Sequence, residues 1–298
     1  MINFEVYSPA LAQHAAVLPP GKLFHYTSPE ALIGIVSNKE MWATNTMFLN
    51  DASEAKHAID LAASIIRGRK ERGEVSAKNL EFVDALTQWI ASAAPRSYVI
   101  SFTELSDSLS QWRAYCPPSG GYAIGLPAAQ LRDMAASQDF MLVKCVYDYR
   151  MQQIIINEIL DGFIKGFERR LLHGDTPERT KNFALVCRDY LVQVALLMKH
   201  SSFQEEQEWR LISSGVDEMS HNGISFRGSP KGIIPFFKFK LTSTEYPDLV
   251  ARDGDNLVVF VGPSPDRDNR QIALQFLLSH HFGYGAYHGA SSIPYKTW

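Results

Sequence analysis

Hydrophobic residues alternate with polar ones in several short segments of this chain, and in others they recur at helical spacing. Alternating, β-branched or aromatic runs predict strands at residues 22–26, 41–44, 97–103, 121–126, 140–149, 208–213, 223–226, 233–241 and 257–261. Helical spacing predicts a helix at 75–91 and two long helices between 150 and 200. Because the strands follow one another and the helices come in blocks, we expect an α+β fold with an antiparallel or mixed sheet.

Capping signals mark where three further helices begin. Ser28 precedes Pro29 and an acidic residue, which is typical of a helix N-terminus. Asp51 and Glu54 resemble a capping box for a helix through residue 66, and Ser264 precedes a last helix that ends near residue 281. We expect one α+β domain over residues 1–298, with an irregular N-terminal arm at 1–20 and a helical insert or flank at 150–200.

Composition and charge narrow the class of protein. Hydrophobic residues make up 46% of the chain, enough for an ordinary core, and the net charge of -3 argues against broad binding to a nucleic-acid backbone. No apolar run approaches the roughly 20 residues that span a bilayer, and the N-terminal residues do not resemble a signal peptide, so we expect a cytoplasmic protein without membrane partners. Three widely spaced cysteines indicate reduced thiols in or near the core.

Polar residues at predicted strand ends are the first candidates for a binding site. One predicted strand ends with His25, Tyr26 and Thr27, directly before a helix N-terminus. A histidine at this place can form a hydrogen bond with a ribose hydroxyl, and the free N–H groups of the helix favour binding of a diphosphate. A half-buried structural histidine is the simpler interpretation. Asn50 stands beside Asp51 at a loop-to-helix junction and has no capping role of its own.

A central strand and the segment after it supply further candidates. Ser101 and Thr103 end that strand, and Trp112 and Tyr115 lie three residues apart on one predicted helical face, where an aromatic ring can stack on a base. Core packing explains Trp112 equally well. The pair of glycines at 120 and 121 allows either a hairpin or a close approach to a ligand.

The strongest local pattern is the segment from Phe203 to Ile212. In a strand, Glu206, Glu208 and Arg210 point to one face, while Trp209 and Leu211 point to the core. Carboxylates in this position can accept hydrogen bonds from ribose hydroxyl groups and stabilise an oxocarbenium-like transition state. A salt-bridged strand face is the alternative. We find no pattern typical of a metal site, a catalytic triad or a glycine-rich phosphate loop.

Several motifs together resemble a bacterial family of unknown function, DUF2971. These motifs are LFHYTS, FLNDASE, SYVISFTE with SLSQWRAY, GGYAIGL, FQEEQEWRL, VVFVGPSP and SSIPYKTW. Their order and spacing match over about residues 20–298.

Three of these segments are also similar to the active-site elements of ADP-ribosyltransferases. The segments are a strand with His-x-Thr, a middle strand with Ser-x-Thr and a late strand entered through Glu-x-Glu. The resemblance implies a split, mostly antiparallel sheet that binds NAD as substrate, with His25 at the ribose. It also implies that Ser101 and Thr103 support the nicotinamide pocket and that Glu208 is catalytic, with Glu206 on the loop side.

The resemblance to ADP-ribosyltransferases has two gaps and leaves the function open between classes. The first strand has no arginine at the position that the other class of these enzymes uses. No clean tyrosine stands at the second position of the His-Tyr-Glu pattern, where Tyr115 or Tyr122 could substitute. It implies transfer of ADP-ribose from NAD to an unidentified protein or nucleic-acid acceptor, or NAD hydrolysis, in a toxin or phage-defence protein. The alternative is a non-catalytic nucleotide-binding sensor, which would signal through the helical pair, or an interaction protein that uses the same cleft. Nucleic-acid processing is a third class, which the acidic net charge and the lack of a metal-ligand pattern disfavour.

Overall fold

The computed structural model describes residues 7–48, 52–91, 97–174, 176–214, 223–229, 232–243, 246, 257–283 and 286–294. The helices in this part of the chain are α1 Pro9–Ala15, α2 Pro29–Asn38, α3 Ala52–Glu71, α4 Leu80–Ala91, α5 Leu109–Tyr115, α6 Ala128–Ser137, α7 Tyr149–Leu172, α8 Pro177–Ala195 and α9 Arg267–Phe282. The strands are β1 Lys22–Thr27, β2 Glu40–Asn45, β3 Tyr98–Thr103, β4 Tyr122–Pro127, β5 Phe140–Lys144, β6 Glu208–Ser213, β7 Ile224–Ser229, β8 Gly232–Lys240, β9 Val258–Val261 and β10 Tyr287–Ala290.

These strands form one mixed, mostly antiparallel sheet. Its main order is β10-β9-β4-β1-β3-β2-β8-β7, and β6 pairs with both β3 and β5. Among the named strands described, only β9 and β10 pair in parallel. The predicted α+β class with such a sheet is therefore confirmed.

The sheet divides where β1 and β2 meet the central strand β3. Strand β6 pairs with β3 from Val99 to Thr103, so it occupies one edge of that strand. On the other edge, β1 pairs at Thr103, whereas β2 pairs at Tyr98 and Val99. Because β1 and β2 take opposite ends of the same edge, they separate between those points and leave an opening over residues 100–102.

Hydrophobic clusters cover both faces of the sheet. One cluster joins residues of α1, α3, α4, α7 and α8 to Val99, Val143 and Ile212 of the sheet. A second joins α2, α6 and α9 to sheet residues that include Trp209 and Leu211. Successive residues of β6 thus pack into opposite clusters, as alternation along a strand requires. The predicted helical pair of residues 150–200 is part of the first cluster.

Some predicted elements are wrong in extent. The N-terminal arm is not irregular throughout, since α1 forms there with Ser8 as its N-cap and Leu11 buried. The strand predicted at 140–149 ends at Lys144, because the Asp148 side chain accepts a hydrogen bond from Met151 N and begins α7. Helix α6 and strand β10 were not predicted. Within the described residues, every helix is too short or too polar to cross a membrane.

Candidate functional site

A cleft opens at the division of the sheet. It has a volume of about 420 Å³, within the range typical of small-molecule sites. The strands β1, β2, β3 and β6 contribute most of its lining, and β7 and β8 close one side. The following predicted site residues line it: His25, Tyr26, Ser101, Tyr115, Glu206, Glu208 and Arg210. The opening between β1 and β2 therefore brings together side chains that are more than 180 residues apart in sequence.

At the base of the cleft, buried charges form a connected cluster around Glu208. The guanidinium group of Arg210 donates to both carboxylate oxygens of Glu208. Its Nε lies 2.7 Å from Oε1, and its Nη2 lies 3.0 Å from Oε2. Lys199 Nζ lies 2.7 Å from Oε2 of Glu208 and 2.7 Å from Oε2 of Glu206. Two cations and two carboxylates thus share one network.

The network fixes the protonation state of Glu208. The residue is only 5% exposed, and burial alone would raise its pKa. Arg210 and Lys199 outweigh burial and lower the pKa of Glu208 to about 2. The carboxylate is therefore ionised at neutral pH, which suits stabilisation of a positive charge and does not suit donation of a proton.

Lys199 was not identified from the sequence. It is 1% exposed and follows α8 in a short segment whose Met198 forms an isolated bridge with Val146. Gln152 Nε2 also donates to the Lys199 carbonyl oxygen at 2.8 Å. An isolated lysine nine residues before Glu208 carries no pattern in the sequence, because this contact depends on the tertiary fold.

Glu206 reaches the cleft by a different route from the one predicted. It ends a short 3-10 helix, Ser201–Glu206, and Gln207 then adopts a left-handed conformation with φ of 44°. The strand begins only at Glu208, so the prediction that Glu206 shares its regular alternation is wrong. The Thr103 hydroxyl donates to the Glu206 carbonyl oxygen at 2.6 Å and holds this turn.

His25 has a fixed ring orientation. Its Nδ1 lies 2.9 Å from the carbonyl oxygen of Ser101, so Nδ1 carries the proton and donates it. Burial lowers the pKa of His25, although the bond to Ser101 opposes that effect. The neutral ring then has an unprotonated Nε2, which can accept a hydrogen bond from a hydroxyl group.

The two aromatic residues predicted on one helical face have different surroundings. Tyr115 lines the cleft and is exposed, but Trp112 is 5% exposed and is not part of the lining. The Trp112 ring packs edge-on against Tyr26, and its Nε1 donates to Asp107 Oδ1 at 2.7 Å. The structure instead places Trp42 in the cleft, an aromatic residue that the sequence did not single out.

The other predicted residues have structural contacts or fall outside the described part. Thr27 and Thr103 are buried and do not line the cleft. Tyr26 does line it, and its hydroxyl donates to the Leu105 carbonyl oxygen at 2.9 Å. Asn50 and Asp51 lie outside the described residues, so their roles stay predictions, as does the capping box with Glu54.

Gly121 serves packing and has no contact with the cleft. A Cβ atom there would lie 2.6 Å from the carbonyl oxygen of Thr27, which is too close for any other residue. The glycine therefore lets the start of β4 approach the end of β1. In the described residues, no group of three or more histidine, cysteine or acidic side chains is arranged to hold a metal ion.

Comparison with known families agrees with the resemblance found in the sequence. The family model described as "Protein of unknown function (DUF2971)" matches residues 111–211. This confirms the DUF2971 resemblance over the segment from α5 to β6, which includes the charged cluster at the base of the cleft. Searches of curated proteins and of solved structures gave no match.

Proposed function

We propose that this protein binds NAD in the cleft and is an ADP-ribosyltransferase-like enzyme, which transfers ADP-ribose to an acceptor or to water. The observation that carries the proposal is the divided sheet, which places His25, Ser101 and Glu208 around one cavity. Transferases of this class resemble the chain in these same three segments. The cavity joins aromatic walls to a charged base, a combination suited to a nucleotide.

The chemistry follows from the charge states of the side chains. When the bond between the ribose anomeric carbon and nicotinamide breaks, nicotinamide leaves as a neutral molecule and positive charge develops on the ribose. The ionised carboxylate of Glu208 stabilises that charge, and Nε2 of His25 accepts a hydrogen bond from a ribose hydroxyl. Glu206 orients the acceptor and takes the proton that the acceptor loses.

One observation favours a second candidate function, a nucleotide sensor without catalysis. Both carboxylate oxygens of Glu208 are already engaged by Arg210 and Lys199. Arg210 also donates from Nη1 to the Leu196 carbonyl oxygen at 2.7 Å, just beyond the end of α8. A ligand that displaced Arg210 would therefore change the contacts of the helical pair.

The setting proposed for the transferase is the bacterial cytoplasm, with a role as a toxin or in phage defence. The resemblance to ADP-ribosyltransferases supports that role, whereas the cytoplasmic location is an expectation from the sequence pattern. The acceptor in the transferase reaction would be a protein or a nucleic acid.

The test compares the natural protein with Glu208→Gln and with Glu178→Gln, which changes an exposed residue of α8. The measurements are NAD titration, nicotinamide release and thermal melting. The transferase proposal predicts NAD binding by all three proteins, and about a 100-fold or greater loss of nicotinamide release per folded molecule only in Glu208→Gln.

Other results separate the two candidates. NAD binding without nicotinamide release by the natural protein would favour the sensor. Normal release by Glu208→Gln with a lowered melting temperature would show that Glu208 has a structural role, since the change removes the carboxylate partner of Arg210 and one of the two that Lys199 contacts. Failure of the natural protein to bind NAD would contradict the transferase and a sensor of NAD.

A further inference from the structure

Arg227 is a cleft residue that the proposed reaction does not use. It lies on β7, where Ser225, Arg227 and Ser229 alternate with residues of the other face. Its Nη2 has one long contact, 3.4 Å to the Thr44 hydroxyl. Its Nε is buried and has no hydrogen-bond partner in the described structure.

A buried guanidinium donor without a partner is unfavourable, because desolvation is not repaid by a hydrogen bond. Buried polar groups in folded proteins nearly always have partners, so an exception at a cleft wall calls for an explanation. A ligand atom that accepts from Nε would supply the missing bond. Arg227 lines the cleft, where such a ligand would lie.

The charged residues of the cleft indicate the sign of the charge that this ligand carries. Lys199 and Arg210 are balanced by Glu206 and Glu208. No carboxylate within the described ranges forms an ion pair with Arg227. The charged residues described around the cleft therefore carry a net charge of +1, although the whole chain carries -3. This excess favours an anionic ligand.

An aromatic surface completes the wall to which Arg227 belongs. Strand β8 pairs with both β7 and β2, so Arg227 and Trp42 lie on one continuous part of the sheet. The Trp42 ring stacks on Phe236 with centroids 4.3 Å apart, and it is 45% exposed. A ring that is held in place and open to the cleft can stack on a nucleobase.

We infer that Arg227 binds a phosphate group of the ligand and makes the cleft selective for nucleotides over nucleosides, which lack that group. The planar guanidinium can donate two parallel hydrogen bonds to phosphate oxygens, an arrangement that lysine cannot reproduce. The inference rests on the proposed function only in taking the ligand to be a nucleotide. It assigns a residue and a ligand group that the reaction at Glu208 does not require.

The experiment measures the binding of ADP and adenosine by calorimetry. The natural protein binds ADP more tightly than adenosine. Arg227→Gln weakens ADP binding by about 10- to 100-fold and leaves adenosine binding unchanged, because only the phosphate contact is lost. Arg227→Lys keeps the positive charge but cannot donate two parallel hydrogen bonds. Its affinity for ADP therefore falls between those of the natural protein and Arg227→Gln. Arg267→Gln, which changes an exposed residue of α9, serves as the matched control and behaves as the natural protein does.

Two outcomes would overturn the inference. One is an ADP affinity of Arg227→Gln within twofold of that of the natural protein, and the other is equal affinity of the natural protein for ADP and adenosine. Neither outcome bears on nicotinamide release, so the transferase proposal would stand or fall separately. Conversely, Arg227-dependent ADP binding without any nicotinamide release would support the inference and contradict the transferase.

Discussion

His25 shows how one backbone contact can set the chemistry of a side chain. The carbonyl oxygen of Ser101 fixes the proton on Nδ1, and burial lowers the pKa of the ring. The folded protein therefore holds His25 neutral at pH values where the unfolded chain, with a histidine pKa of about 6.5, already binds a proton. Proton binding by the unfolded state makes the contribution of His25 to stability depend on pH.

The sign of this dependence gives a prediction. The contribution of His25 is fully present above pH about 6.5 and decreases as the pH falls towards its lower folded pKa. We expect His25→Asn, which can keep a donor to Ser101, to lose less stability between pH 7.5 and pH 5.5 than the natural protein. Urea denaturation at both pH values measures this, and equal losses in the two proteins would contradict a lowered pKa at His25.

At the scale of elements, Lys199 connects the segment after α8 to the start of β6. Its ammonium group contacts Glu206 before the strand and Glu208 within it, while its backbone accepts from Gln152 of α7. One side chain thus links the helical pair to the base of the cleft. Removing the ammonium group would leave the two carboxylates close together without their shared cation.

We therefore expect Lys199→Met to lower the free energy of unfolding by about 3 to 5 kcal/mol, as for other buried ion pairs that lose one partner. Lys78→Met is the matched control, because Lys78 forms an exposed pair with Glu168 at 3.0 Å. Its expected cost is about 0 to 1 kcal/mol. Chemical denaturation measures both, and similar costs for the two variants would show that the buried network adds little.

Elements with a strong local pattern were predictable from the sequence. Strand β6 was predicted with its observed bounds, because the charged residues Glu208 and Arg210 alternate there with apolar ones. Helix α2 begins where Ser28 and Pro29 indicated, and the Ser28 hydroxyl accepts from Ala31 N at 3.3 Å. Trp112 and Tyr115 lie on one side of helix α5, as expected. Helical spacing alone does not tell which of the two packs into the core, and in the structure Trp112 is buried whereas Tyr115 is exposed.

At the scale of the whole molecule, the sequence indicated the kind of sheet and not the order of its strands. The pairings of β3 with β1 and β2 locate the opening in the sheet between those two strands. Arg227 was missed because the predicted strand ended at Phe226. Lys199 and Arg227 enter the cleft through tertiary pairing alone, and no spacing in the sequence encodes that.

The position of Trp42 has a consequence for how ligands can be detected. The chain has five tryptophans. Trp112 and Trp209 are buried at 5% and 2% exposure, and Trp89 packs, partly buried, against the first hydrophobic cluster. Trp42 faces the cleft, and Trp298 lies outside the described residues. A nucleotide that stacks on Trp42 would exclude water from its indole ring and quench its fluorescence. We expect ADP to reduce the tryptophan emission of the natural protein and to protect that emission from quenching by acrylamide. Neither effect is expected in Trp42→Phe. If that variant responds to ADP as the natural protein does, the ligand binds elsewhere. The cleft thus carries its own optical reporter, with which nucleotides can be screened in solution without a label and before any reaction is known.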